Sequence, residues 1–230
     1  MPFSKKISVI IPALNEEEAI AKVVGDMPEC VSQVIVVDNA SVDDTAKVAE
    51  GAGAKAIFEG RRGYGYACLA GIKALEDPDI VVFMDGDYSD DPREIEKLVE
   101  PIVEENFDFV MGSRILGERE EGALPAHSIL ANKLFAKLVY LLYGLSLSDI
   151  GSFKAIRYAS LMALDMKDTS YGFPMEMVVK SAKRNLRIKE VPVRVRKRIG
   201  VSKVTGNLFA SVKAGFKIIY IIFRYSLKRV

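Results

Sequence analysis

The sequence has no tryptophan, one histidine (His127) and two cysteines (Cys30 and Cys68) in 230 residues. Two thiols cannot build the disulfide framework of a small secreted domain, and their usage fits a reducing compartment. A lone histidine at a helix start reads as a cap or surface group, so His127 is given no catalytic role. Nowhere do about 20 apolar residues run without interruption, which leaves no secure transmembrane helix. Strand-like ISVII begins at Ile7 with no basic, cleavable leader before it, so no signal peptide is expected. Net charge is only +1, yet 50% of the residues are hydrophobic and 27% charged. That composition excludes a disordered tail or a collagen and fits one or two globular domains with a sizeable core.

The near-zero charge hides an asymmetry. Residues 1–115 carry 11 Lys/Arg against 23 Asp/Glu, and residues 116–230 carry 21 against 8. The acidic half points to a cation site. The basic half points to an anionic partner, either phosphate groups or a membrane surface, with no nucleic acid expected. Attraction between the halves is the plainer alternative.

Apolar runs alternate with helical patterns through the first half. Strands are expected at 7–12, 34–38, 56–58, 79–85 and 107–113. Helices are expected from about Glu16 to Asp26, capped by Asn15; from a Ser41/Asp44 capping box to about Gly51–Gly53; over 66–75; and from Pro92 to about Glu105. This alternation implies right-handed βαβ units and a mostly parallel sheet. Such sheets bind ligands at the carboxyl ends of their strands. Asn15, Glu16, Asp38, Asp85-Gly86-Asp87 and Arg114 stand there. The second half is less regular. It shows a long amphipathic helix over 127–143, an alternating strand over 187–198, a basic Gly-bounded loop at 200–206 and a final helix from Asn207 to Val230.

Two carboxylates at a strand end, separated by a glycine, suit a hard cation such as Mg2+ or Mn2+ whose other ligands come from substrate phosphates. Asp85 and Asp87 are therefore the candidate metal ligands. The loop Gly60-Arg61-Arg62-Gly63-Tyr64-Gly65 reads either as a diphosphate cradle or as a plain turn. Arg194, Arg196, Lys197, Arg198 and Lys203 form a cationic strand and loop suited to clamp phosphate. The final helix and the 128–143 helix are apolar but studded with lysine and arginine, the pattern of interfacial helices. Packing onto the sheet or a second subunit is the alternative, and the oligomeric state is left open.

The motifs VIIPALNEE (9–17), VIVVDNASVDDT (34–45), GYGYA (63–67), FMDGDYSDDP (83–92), VMGSR (110–114), DIGSFKAIR (149–157), YGFPMEM (171–177), IKEVPV (188–193) and RIGVSK (198–203) follow one another along nearly the whole chain. Together they resemble glycosyltransferase family 2, and within it the polyprenyl- and dolichyl-phosphate hexose synthases. The resemblance implies a GT-A fold, a Rossmann-like mixed, mostly parallel sheet. Residues 1–206 would form the catalytic domain, with a nucleotide-sugar half (1–115) and an acceptor half (116–206), and 207–230 a C-terminal interface helix. It implies that Pro12, Ala13, Asn15, Glu16, Asp38, Asn39, Arg62, Gly63, Asp85 and Gly86 bind the nucleotide-sugar, with Gly86 giving the metal room. Asp87, Arg114, Arg198 and Lys203 would carry the chemistry. Glu176, Arg198, Ser202 and Lys203 would meet the acceptor phosphate.

Two departures stand out. Asp90-Asp91-Pro92 replaces a stretch that often carries a histidine before its proline, and the extra C-terminal membrane helices of long family forms are not expected. Without tryptophan, the Q-x-x-R-W motif of processive polysaccharide synthases cannot exist here. The expected activity is inverting, metal-dependent transfer of one hexose from a UDP- or GDP-linked sugar to dolichyl or polyprenyl phosphate. The expected location is cytoplasmic, peripheral on the inner face of a membrane. The alternatives are a hydroxyl acceptor, which needs a base such as Asp149 or Glu176, and a non-catalytic membrane adaptor on the same fold. A nucleotide-sugar pyrophosphorylase would need a G-x-G-T-R loop after the first strand, and the chain has none.

Overall fold

The computed structural model describes residues 4–200 and 208–227, with side chains from 212 onward in the second stretch. The acidic half builds β1 (Ile7–Ala13), α1 (Ile20–Gly25), β2 (Val31–Asp38), α2 (Thr45–Gly51), β3 (Lys55–Phe58), α3 (Tyr64–Lys73), β4 (Ile80–Phe83), α4 (Ile95–Glu104) and β5 (Phe109–Ser113). A short 3-10 turn, Pro92–Glu94, leads into α4, with Pro92 in its first position as expected. The basic half adds α5 (Ala126–Tyr143), β6 (Lys154–Arg157), α6 (Tyr158–Leu164), α7 (Phe173–Lys183), β7 (Ile188–Pro192) and α8 (Leu208–Ser226). Among these, β6, α6 and α7 lie in the stretch the periodicity leaves unassigned.

The seven strands run in the order β3-β2-β1-β4-β6-β5-β7. β1 pairs in parallel with β2 and β4, β2 with β3, and β5 with β7. β6 is antiparallel to both β4 and β5. Its inversion has a local consequence. Lys154, at the start of β6, lies opposite Phe83 at the end of β4. Residues 149–153 therefore arrive at the same sheet edge where β1, β2, β4 and β5 end. β7 ends at that edge as well, and the chain beyond it crosses the edge.

Apolar side chains cover both faces of the sheet. Ile20 and Val23 of α1, Ala49 of α2, and Ile95, Leu98 and Ile102 of α4 pack on one face. Ala67 and Cys68 of α3, with Phe135, Leu161, Met175, Val178, Ile221 and Ile222 from α5 to α8, pack on the other. Strands buried on both faces read as continuous apolar runs, which is why IVVF and VIVV are visible in sequence.

Two expected caps are not formed. Asn15 has φ +53°, donates its backbone N–H to Ser41 Oγ (2.9 Å) and accepts from Val42 N at its side-chain oxygen (2.9 Å). The helix starts at Ile20 instead. Ser41 therefore serves Asn15, and Asp43 accepts from Thr45 N (3.1 Å) at the start of α2. Asn and Ser are good caps because their side chains bond nearby backbone, and the same capacity here stitches two loops together.

α3 lies close on β1 and β2 because Gly71 has no side chain. A Cβ there would stand 2.5 Å from Ile10 Cγ2 and 3.2 Å from Val37 Cγ2. Gly71→Ala should destabilise by about 1–3 kcal/mol through overpacking. A thermal melt should show a loss of about 2–4 °C for each kcal/mol, and an unchanged Tm would contradict the tight helix–sheet contact.

Candidate active site

The D-x-D sequence occupies the turn after β4. Asp87 is buried, and Asp85 is half-buried. Ser152 Oγ donates to Asp85 Oδ2 (2.7 Å), which fastens the β6 lead-in to the β4 turn. Asp90 is buried and accepts from Asp85 N at Oδ2 (3.1 Å). Asp87 accepts from Ser89 N (2.9 Å) and pairs with the Arg198 guanidinium. Burial, then the charge of Asp87, pushes the Asp85 carboxyl up. Burial, then the charge of Asp85, pushes Asp90 up to about 8. Buried carboxylates that repel one another are short of positive charge, which a divalent cation would supply. Among the described residues no three His, Cys, Asp or Glu side chains converge as metal ligands. Asp85 and Asp87 thus fit a cation whose remaining ligands come from a substrate, as Mg2+ commonly binds.

Gly86 plays a different part from the one expected. A Cβ there would stand 3.3 Å from Ile11, 3.5 Å from Ala13 and 3.5 Å from Ile20. The missing side chain leaves space for the core below the turn and not for the metal.

Arg114 is held by Asp149 through two side-chain bonds, Nε to Oδ2 (2.7 Å) and Nη2 to Oδ1 (2.9 Å), and through its backbone N–H (3.0 Å). Asn132 of α5 donates to the same carboxylate (2.5 Å), and Asp149 is fully buried. Burial works against the Asp149 charge, but Arg114 overcomes it and holds the carboxyl below the usual range. Asp149 is thereby a partner for Arg114 and not a free base.

Glu176 is likewise corrected. It is fully buried on α7, accepts from Asp168 N (2.6 Å) and Tyr225 OH (2.5 Å), and pairs with Lys180 (2.7 Å). No acceptor can touch a carboxylate enclosed in this way. It ties α7 to α8 and to the 167–168 backbone.

Asp38 is buried and accepts from Ser41 N at Oδ1 (3.0 Å). Asn39 spends its side chain on the Gly-rich loop, donating to Glu59 O (3.0 Å) and Arg61 O (2.8 Å) and accepting from Gly63 N (2.7 Å). The Gly63 amide is therefore committed to Asn39. Gly63 has φ +149°, and a Cβ there would lie 2.4 Å from Thr169 O, so glycine is required. Arg62 is exposed, with Nη2 3.4 Å from Ala40 O. Asn15 and Glu16, with Glu17, Glu18, Ala19 and Asp43, face Ile199 and Gly200 across a cavity of about 290 Å3. Pro12 is half-buried and Ala13 is buried at the end of β1. Ser202 and Lys203 lie outside the described residues. His127 is exposed in the first turn of α5.

Four residues were given no site role from the sequence: Ser152, Asn132, Asp90 and Tyr88. Ser152, Asp90 and Tyr88 lie within the quoted motifs, whereas Asn132 carried no signal.

Residues 8–164 match the sequence profile described as "Glycosyl transferase family 2". The chain belongs to glycosyltransferase family 2. It is 34% identical over 211 residues to an uncharacterized glycosyltransferase of Mycobacterium tuberculosis, covering 90% of this chain and 94% of that one. It is 30% identical over 218 residues to the undecaprenyl-phosphate mannosyltransferase of Micrococcus luteus, covering 88% and 89%. The fold matches the crystal structure of glucosyl-3-phosphoglycerate synthase from M. tuberculosis in complex with Mn2+, UDP-glucose and phosphoglyceric acid. The TM-score is 0.79 at 24% identity, over 97% of this chain and 80% of that one. This glycosyltransferase therefore has the GT-A fold that its motifs led one to expect.

Two measurements follow from the buried charges. Removing one partner of a buried ion pair typically costs about 3–5 kcal/mol, so Asp149→Asn should lower stability in urea by about 3 kcal/mol while Arg114 loses its clamp. An aspartate in the unfolded chain ionises near 3.9, whereas folded Asp90 keeps its proton up to about 8. Between these values the unfolded chain has released a proton that the folded chain retains, so Asp90 makes stability fall as pH rises. In metal-free protein, Asp90→Asn should flatten that fall between about pH 5 and pH 7. Equal slopes in both proteins would refute the assignment.

Proposed function

We propose that this glycosyltransferase moves one hexose from a nucleotide-sugar to a polyprenyl or dolichyl phosphate, with inversion at the anomeric carbon. The observation that carries the choice of acceptor is the state of the two carboxylates a hydroxyl acceptor would need. Asp149 is clamped on Arg114, and Glu176 is enclosed beneath α8. A phosphate acceptor, by contrast, is already ionised, with a second pKa of about 6, and needs no strong base. The likeness to the undecaprenyl-phosphate mannosyltransferase supports the same acceptor.

In this reading the donor lies across the cavity between Asn15–Ala19 and Ile199–Gly200, with Asp38 on the adjoining strand end. Asp85 and Asp87 would hold Mg2+ or Mn2+ on the donor diphosphate, and the solved neighbour's complex with Mn2+ and UDP-glucose supports that pairing. A cation held there would supply the positive charge that neutralises the leaving group. Arg198 brings a positive charge to the D-x-D turn, where donor diphosphate and acceptor phosphate would otherwise repel each other. A phosphate oxygen of the acceptor attacks the anomeric carbon as the bond to the nucleoside diphosphate breaks. A single in-line displacement turns an α-linked donor into a β-linked product.

The acceptor's apolar chain calls for a lipid surface, and α5 and α8 offer one. Along α8, Val212, Phe216, Tyr220 and Phe223 are exposed beside Lys213 and Arg224, and Leu227 just after it is exposed too. On α5, Leu130, Leu134 and Leu141 are exposed beside Lys133 and Lys137. Among the described residues no helix is long and apolar enough to cross a membrane. The face suits peripheral attachment to an anionic, cytoplasmic leaflet, where each basic residue adds about 1 kcal/mol.

The test is a panel of radiolabelled UDP-glucose, UDP-N-acetylglucosamine and GDP-mannose with undecaprenyl phosphate and Mn2+ or Mg2+. One donor should carry label into the organic phase as a β-linked product, and Asp87→Ala should cut that transfer by roughly a hundredfold. An α-linked product would rule out single displacement. Label transferred only to phosphoglycerate or another hydroxyl acceptor would overturn the lipid-phosphate reading. Separately, Phe216→Ser with Phe223→Ser should release the protein from vesicles containing phosphatidylglycerol. Unchanged co-sedimentation would remove α8 from the membrane contact.

A further inference from the structure

The stretch from Val193 to Gly200 leaves β7 and passes between two other loops at the sheet edge. On one side Val195 N donates to Glu118 O (2.9 Å), and Val195 O accepts from Glu120 N (3.0 Å). On the other, Arg196 N donates to Ser89 O (2.9 Å) and Ile199 N donates to Asp87 O (2.9 Å). These last two bonds bracket the turn that carries Asp87 and Tyr88.

Arg196 fills the space between them. Only 7% of it is exposed, its guanidinium stacks 4.3 Å from the centroid of the Tyr88 ring, and it pairs with Asp91. Tyr88 is itself fixed. Its hydroxyl donates to Asp26 (2.5 Å), and its backbone stands at φ +65°, a conformation that is strained for a bulky residue and persists only when its surroundings hold it. Asp91 is also held from the other side by Arg93, at 3.0 Å through both Nε and Nη2. Arg196 on Tyr88 and Arg198 on Asp87 face the same turn.

A guanidinium enclosed like this is not available to a ligand, although the sequence groups Arg196 with the phosphate-clamping cations. We infer that Arg196 is a positioning residue. By stacking on Tyr88 and pairing with Asp91, it anchors the 195–199 arm and so delivers Arg198 to the D-x-D turn and Ile199 to the cavity wall. The inference rests on the proposed role of Arg198 in phosphate transfer.

The test compares Arg196→Met, Tyr88→Asn and Tyr88→Phe, alone and, for Arg196→Met, combined with Arg198→Ala. Asparagine tolerates the left-handed backbone but removes the ring, and phenylalanine keeps the ring. Amide exchange of Ile199, read by NMR in the whole protein, should quicken at least about tenfold in Arg196→Met and Tyr88→Asn, while β1 and β4 amides and the Tyr88→Phe variant stay close to the parent. With the three labelled donors, undecaprenyl phosphate and Mn2+, kcat/KM for the donor should drop roughly tenfold in the same two variants and stay close to the parent in Tyr88→Phe. Added to Arg198→Ala, Arg196→Met should cost less than about a further twofold, because both losses act through one side chain.

Protected Ile199 in Arg196→Met and Tyr88→Asn, or losses that multiply in the double variant, would reduce Arg196 to a buried structural ion and overturn the inference alone. An Arg198→Ala variant with unchanged kcat/KM would overturn the reading of Arg198 itself, and the inference with it.

Discussion

Buried carboxylate charge at one sheet edge governs this molecule. Asp38, Asp87, Asp91 and Asp149 are all nearly inaccessible there. An ionised carboxylate removed from water is costly unless a cation or several donors meet it. Much of the architecture beyond the parallel strands supplies those partners. The antiparallel β6 brings Ser152 to Asp85 and Asp149 to Arg114. The chain after β7 brings Arg196 to Asp91 and Arg198 to Asp87. At the carboxyl ends of β4 and β5 the acids Asp87 and Asp149 are thereby paired with Arg198 and Arg114.

This pairing divides the charge asymmetry of the sequence between two uses. Arg196 and Arg198 answer aspartates of the acidic half from within the fold, and Lys189 on β7 similarly reaches Glu105 beyond α4 (2.6 Å). Attraction between the halves is therefore part of the explanation. It does not account for Lys133 and Lys137 on α5 or Lys213 and Arg224 on α8, which point outward among exposed leucines and phenylalanines. Among the described residues these outward cations form no ion pair with the acidic half, and it is this portion of the excess that the proposed membrane contact uses.

The strands and the D-x-D turn were legible because apolar runs buried on both sheet faces end abruptly in aspartate. Legibility failed where one residue type has two competing uses. Asn15 and Ser41 carry cap chemistry, but whether they bond their own helix or a neighbouring loop depends on the approach of β1 to β2, which is a tertiary fact. Glu176 sits in a motif and is charged, so it reads as an acceptor contact. Its burial depends on Tyr225 and α8, about fifty residues away in sequence. Four-residue β6 is too short for periodicity to mark, and its antiparallel direction follows from pairing alone. Arg196 and Arg198 look equivalent in the string RVRKR, and only the position of the Tyr88 ring separates them.

That separation bears on how a basic arm can serve a site that, in the proposed reaction, holds two anions together. A run of mobile arginines would be drawn onto the exposed acids around it and would lose its directional value to screening and side-chain entropy. Here one arginine is spent inside the protein, where a ring, a carboxylate and two flanking backbone bonds leave it little freedom. The cost of ordering the arm is thereby met during folding. A cation placed in advance need not be reorganised when charge develops, which is the condition under which fixed charges contribute most to a transition state. In the proposed mechanism the buried Arg196 and the half-exposed Arg198 are two parts of one device, the first giving up its own reach to fix the reach of the second.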